Sequence, residues 1–295
     1  MKTRRKALLT AIAASAALVL AAHAASAQPS PPPLTPEQIK QIVASPDRSA
    51  ADRTNDLRRK PEQMLVFIGI RPGINALDLS AAGGYTTELL ARAIGPSGIV
   101  YGQSRPRDPS QAPTPPAAPE GNSHPTAASA ATPAATPAPP AGAPRPSPDA
   151  LEARGSALRS ADIKAAPIAV VVRPFEDPIP PELPAFDLVT LMFNYHDLGH
   201  LGVDRAAMNR AVFQALKRGG FYVIADHSGR PGTGISEAGT LHRVEEAFLR
   251  KEVEAAGFKL AAEGTFLRNP NDPRDKNTPD PPQPKDEFVL KFVKP

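Results

Sequence analysis

None of the 295 residues is cysteine, which excludes a disulfide framework, a thiolate metal site and a lipid-modified N-terminal cysteine. The G-x-G-x-x-G fingerprint of dinucleotide-binding turns is also missing, as is the G-x-S-x-G nucleophile elbow. Nicotinamide-linked oxidoreduction and serine hydrolysis therefore lose their sequence basis. From Gly102 to Ala150 there is no Val, Ile, Leu, Met, Phe, Tyr or Trp, and residues 105–148 hold 14 Pro and 12 Ala. Such a stretch cannot offset its ordering entropy by burial, so it reads as a disordered insertion, with a docking segment for a partner as the alternative. Long hydrophobic runs are absent except for Ala7–Ala22, which is short and alanine-heavy for a permanent membrane span.

That run has the form of an export leader. Lys2, Arg4, Arg5 and Lys6 precede it, and Ala25-Ser26-Ala27 follows as a cleavage site, so 1–27 reads as a signal peptide and the mature chain as starting at Gln28. A retained N-terminal anchor is the alternative, and Thr3-Arg4-Arg5 resembles a twin-arginine signal that lacks a bulky residue at Ala7. Without the leader, 30 basic residues face 30 acidic ones. The basic pI then argues for neither nucleic acid nor an anionic surface as partner. The expected location is periplasmic or secreted, with no stable membrane anchor after cleavage.

After a proline-rich linker over 28–36, helix and strand alternate. Thr35-Pro36-Glu37-Gln38 carries a capping box, and Lys60-Pro61-Glu62 opens a second helix. The pattern continues with strand 74–79, helix 85–94, strand 98–102, helix 150–160, strands 168–172 and 186–193, and helix 204–217. Strand 221–225, helix 244–256 and strands 258–263 and 287–293 complete it. Repeated β-α-β units with continuous apolar strands imply one α/β domain, 37–104 plus 149–295, around a parallel sheet covered on both faces.

In such a sheet the loops beyond the carboxyl ends of the strands converge on one crevice. They carry Asp78 with the small-residue turn Ser80-Ala81-Ala82-Gly83-Gly84, then Gln103, Phe175-Glu176-Asp177, Asn194-Tyr195-His196-Asp197 and Asp226-His227. His242 stands at the expected start of the next helix. Histidines suit acid–base work near neutral pH, although each taken singly could equally be structural. His196 and His200 stand four apart as on a helical metal site, but the Leu-Gly-His-Leu-Gly context is a poor helix. The segment reads as a loop with no metal. Asp272, Asp275 and Asp280 lack the glycine and terminal glutamate of a calcium loop.

The words LDLSAAGGYTTELLA, VVRPFEDP, FDLVTLMFNYHDL, ADHSG, TLHRVEEAFLRKEVEAAGF and LRNPNDPRD, in that order, resemble the class I S-adenosylmethionine-dependent methyltransferases. More narrowly, they resemble a group of exported bacterial members. The resemblance covers residues 45–104 and 150–295. It implies a Rossmann-like sheet of seven strands with the last antiparallel, S-adenosylmethionine as cofactor and a small-molecule methyl acceptor. It also implies that the turn from Asp78 through Ser80, Ala82, Gly83, Gly84 and Tyr85 passes beneath the methionine part, with Asp78 orienting its amino group. Gln103 would meet the ribose, Phe175, Glu176 and Asp177 the adenine, and Asn194 the methyl-donor side. His196 is the first candidate base, with His227 and His242 next and Asp197 as orienter. The family turn is D-x-G-x-G-x-G, so Ser80 and Ala82 replace glycines, and Gln103 replaces a carboxylate. A non-catalytic binding protein on the same scaffold is the alternative these departures leave open.

Overall fold

A computed structural model describes residues 31–107, 147–277 and 283–295. The expected leader, residues 28–30 of the linker, the bulk of the 105–148 insertion and Asp280 lie outside the described residues. In the unit Pro32–Pro295, three helices precede the first strand: α1 (Pro36–Val43), α2 (Ala50–Arg59) and α3 (Pro61–Ile68). Then follow β1 (Asn75–Leu79), α4 (Tyr85–Ile94), β2 (Ile99–Ser104), α5 (Ser147–Ser160), β3 (Ile168–Val172) and β4 (Phe186–Met192). Next come α6 (Tyr195–His200), α7 (Arg205–Ala215), β5 (Leu216–His227), α8 (Ala238–Leu241) and α9 (Glu246–Ala255). The chain closes with β6 (Lys259–Gly264) and β7 (Glu287–Val293).

The strands form one sheet in the order β3-β2-β1-β4-β5-β7-β6. Only β7 runs antiparallel, against both β5 and β6. This is the expected doubly wound, Rossmann-like arrangement. Alternation along each strand sends side chains to two cores. On one face Ala76, Val100, Val223 and Val289 pack beneath α1, α3 and α4. On the other, Leu77, Leu79, Tyr222 and Phe292 pack beneath residues of α6, α7 and α9. Strand order reverses between β1 and β4, so the crevice beyond their carboxyl ends is the binding position such sheets provide. No helix among the described residues is long and apolar enough to cross a membrane.

Several elements depart from the sequence reading. Helix α2 has few apolar residues, so no hydrophobic periodicity announces it. Polar contacts fix it instead, Asp52 accepting from Arg154 at 2.8 Å and Asp56 accepting from Arg48 at 2.6 Å. The segment after β4 forms the short helix α6 rather than a loop, because Leu198 and Tyr195 are fully buried. Helix α7 ends at Ala215, and Leu216 turns extended to begin β5, whose Gly219 and Gly220 bond to Lys294.

Arg154 on α5 joins the N-terminal helices to the sheet. It reaches Asp52 of α2 and Glu88 of α4, and its Nε donates to the Gly83 carbonyl at 2.5 Å. Leu151, one turn earlier, is buried where a Cβ on Gly84 or Gly102 would stand 2.9 or 2.7 Å away. Those two glycines therefore admit α5 to the sheet. Removing Arg154 would leave buried Asp52 without its cation, while Glu88 keeps Arg92 at 2.8 Å. Arg154→Met is expected to lower unfolding free energy in urea by about 2–3 kcal/mol, below the range for fully buried pairs because Arg154 keeps an exposed edge.

Candidate functional site

The turn after β1 keeps the shape of a glycine loop without the glycines. Ser80 (φ 53°), Ala82 (φ 47°) and Gly84 (φ 78°) all occupy the left-handed region, where a Cβ costs about 1–2 kcal/mol. Contacts with its surroundings enforce this shape. The Ser80 N–H donates to Gln103 Oε1 at 3.0 Å, the Ala81 N–H to the Gln103 carbonyl at 2.9 Å, and the Gly84 N–H to the Ala81 carbonyl at 2.8 Å. Ala82 and Gly83 remain exposed, with nothing near the position a Cβ on Gly83 would take. Ser80 Oγ crosses the crevice to donate to Asn194 Oδ1 at 2.5 Å.

Several expected cofactor contacts are committed elsewhere. Gln103 is fully buried, its amide nitrogen donating to the Arg173 carbonyl at 2.7 Å, so it braces the turn instead of facing a ribose. Phe175 is a core residue packed with Leu79 and Phe186, and Asp177 is engaged by the Arg173 guanidinium. Glu176 remains half-exposed beyond β3. Asp78 lies 2% exposed beneath the turn and accepts from Thr87 at 2.7 Å and Thr190 at 2.8 Å. Burial raises its pKa to about 6, against the lowering effect of the two threonines. The Tyr85 hydroxyl donates to Asp56 at 2.7 Å; burial, then that carboxylate, raises its pKa strongly.

One residue escaped sequence reasoning. Arg59, at the end of α2, lies over the rings of Phe193 (4.7 Å) and Tyr85 (5.3 Å). Its Nε is buried and has no hydrogen-bond partner among the described residues. Burial, then neighbouring Arg58, lowers its pKa to about 10. No motif marks an arginine at the end of a polar helix; only the tertiary fold brings it to the crevice wall.

Beyond β4 and β5 the polar residues do converge. Asp226, fully buried, accepts the N–H groups of His196 (2.9 Å) and His227 (2.7 Å) and lies 2.6 Å from His196 Nδ1. His196 Nε2 stands 3.3 Å from Asp197 Oδ1, and His242 Nδ1 stands 3.4 Å from the same oxygen. Asn194 Nδ2 donates to Asp197 Oδ2 at 2.7 Å. His242 does not begin a helix; it ends α8 in the left-handed conformation, φ 51°. Fully buried Arg243 pins the next position to the Ser228 carbonyl (3.0 Å) and Asp272 (2.9 Å). His227 Nδ1 lies 3.0 Å from Glu287, which Arg58 also holds at 2.7 Å. Burial acts to raise the Glu287 pKa, but the His227 and Arg58 contacts outweigh it and lower it. His196 and His227 are both buried, whereas Asp197 and His242 keep about a third of their side chains exposed, at 29% and 33%. His200 turns instead toward Gly239.

The solved structures to which this chain is similar include S-adenosylmethionine-dependent methyltransferases. One from Aquifex aeolicus shares 15% identity over 89% of this chain and all of its own, with a TM-score of 0.49. A sarcosine dimethylglycine methyltransferase described as putative, from Galdieria sulphuraria, shares 13% over 83% and 86%, also at 0.49. Magnesium protoporphyrin IX methyltransferase from Synechocystis PCC 6803 shares 11% over 88% and 92%, at 0.45. No protein-family model matches the chain, and no curated protein matches its sequence. The class defined by the coordinates is a Rossmann-like α/β domain with a turn-lined crevice at its switch point.

Two outcomes test this geometry. Ala82→Gly removes a left-handed Cβ at the cost of backbone entropy, so unfolding free energy in urea should rise by up to about 1 kcal/mol; a fall would mean that the turn is unstrained. For Asp78, the folded protein holds the carboxyl proton more tightly than the unfolded chain does, so stability falls as pH rises from about 4 through about 6. Asp78→Asn removes that fall. Across the same window its stability relative to the native protein should climb by about 2–3 kcal/mol, measured by denaturation at each pH.

Proposed function

We propose that the protein is an S-adenosylmethionine-dependent methyltransferase acting on a small-molecule acceptor. The observation that carries this reading is the β1–α4 turn, where Ser80 and Ala82 hold the conformations that the family motif reserves for glycine. Strain of this kind clusters at ligand-binding and active sites. The residues fit the cofactor in charge as well as shape. The turn 80–84 would pass beneath its methionine part, and the buried Arg59 Nε would donate to its carboxylate. Glu176 would stand at the adenine.

When bound, the cofactor supplies a methyl group activated on a sulfonium. The contribution of the chain is then mainly positioning. Asn194, held between Ser80 and Asp197 at 2.5 and 2.7 Å, would line the donor side. Asp197 and His242 are the partly exposed members of the histidine cluster, so they would face the acceptor, with His242 able to take a proton from a hydroxyl or amine. His196 and His227, being buried, would support that arrangement without touching the acceptor. The leader over 1–27 supports export as the location of this activity.

The test is calorimetric titration of S-adenosylmethionine into the purified protein. Saturable binding is expected, and absence of heat at millimolar cofactor would overturn the reading in favour of a binding protein on this scaffold. Arg59→Met should weaken S-adenosylmethionine about 10- to 100-fold and leave 5′-methylthioadenosine, which lacks the carboxylate, unchanged.

A further inference from the structure

We infer that His196, Asp197 and His242 form a binding site for a divalent first-row transition-metal ion. Among the described residues they are the one group of three or more candidate ligands, their donor atoms lying within 4.8 Å of one another. The tautomer of His196 makes the case. Asp226 accepts two backbone N–H groups and is therefore the acceptor in its 2.6 Å contact with Nδ1. Neutral His196 then carries its proton on Nδ1 and directs the Nε2 lone pair at Asp197 Oδ1, itself a lone-pair atom, 3.3 Å away. Two such atoms face each other favourably when a proton or a metal ion lies between them.

The two separations from Asp197 suit a metal ion. Charge-assisted N–H···O bonds are about 2.7–2.9 Å long. The 3.3 and 3.4 Å from Asp197 Oδ1 to the two imidazoles instead match neighbouring donors on an ion with bonds of about 2.1 Å, which lie about 3.0–3.4 Å apart. Each ligand is also held from behind. Asp226 orients His196, Asn194 takes the other oxygen of Asp197, and the left-handed backbone with the Arg243 anchor fixes His242. A carboxylate behind a ligating histidine is the usual outer support of such sites. Two imidazoles and one carboxylate select Zn²⁺, Fe²⁺, Mn²⁺ or Co²⁺ over Mg²⁺ or Ca²⁺, and three protein ligands leave coordination positions open. The exposed edges of Asp197 and His242 put those positions toward solvent.

The ion needs nothing from a methyl donor, so this site stands apart from the proposed methyltransferase activity. Joined to that reading, it makes the acceptor an oxygen ligand, a hydroxyl or carboxylate compound, and gives acceptor activation to the ion in place of His242 as base. The test is calorimetry of metal-free protein with Zn²⁺, and absorption spectroscopy with Co²⁺, both without S-adenosylmethionine. One equivalent should bind with micromolar or tighter affinity. His242→Ala and Asp197→Asn should each weaken it at least tenfold while the circular dichroism spectrum is retained, and His200→Ala should change nothing. No stoichiometric uptake, affinity unaltered in both ligand variants, or displacement by equimolar Mg²⁺ would overturn the assignment. In the first case the proton, not a metal ion, lies between the two atoms, and His196 Nε2–H donates to Asp197.

Discussion

A fully buried carboxylate, Asp226 at the end of β5, orders the polar end of the sheet. An ionised group so placed is tolerated only when its lone pairs are used. Asp226 uses them on the backbone of His196 and His227 and on the His196 ring, which locks the start of α6 to the end of β5. From there the contacts run through Asp197 and Asn194 to Ser80, so one polar chain links the ends of β5, β4 and β1 across the switch point. The crevice is thus held by bonds between strand ends as well as by the sheet.

Opposite that chain, charge does the work that apolar area does elsewhere. Arg154 gathers Asp52, Glu88 and the Gly83 carbonyl, and through them fixes α2, whose last residue Arg59 then reaches the crevice. The N-terminal helices consequently belong to the site as well as to the fold. The glycine-like turn lies between these two polar assemblies, which is how Ser80 and Ala82 are kept left-handed although neither would choose it alone.

Much of the fold was legible in advance. Helix α4 and strands β3 and β7 have the bounds that periodicity assigns, because apolar residues at helical spacing or in short continuous runs must be buried. Helix α2 was not legible, since its sequence AADRTNDLRR carries no apolar stripe and its partners lie up to 229 residues away. The site was legible as a set of strand ends but not as a division of roles. His196 and His242 look alike in sequence, yet one is sealed in the core and the other partly open. Gln103 and Phe175 sit where ligand contacts are expected and serve the turn and the core instead. His200, four residues from His196, is turned by α6 toward Gly239.

The sequence by itself determined the alternation of helix and strand, the small-residue turn after β1 and the collection of polar residues at strand ends. Each of these follows from local periodicity or from the sterics of a single turn. Tertiary structure alone decided which polar groups meet: Asp226 with His196, Ser80 with Asn194, Asp197 with His242. Those pairings join residues on different elements, and sequence spacing carries no distance between elements until the sheet order is set. The same order brought Arg59 into the crevice and took Gln103 out of it. Burial and hydrogen-bond competition are properties of the packed chain, so the roles of these residues follow from the fold.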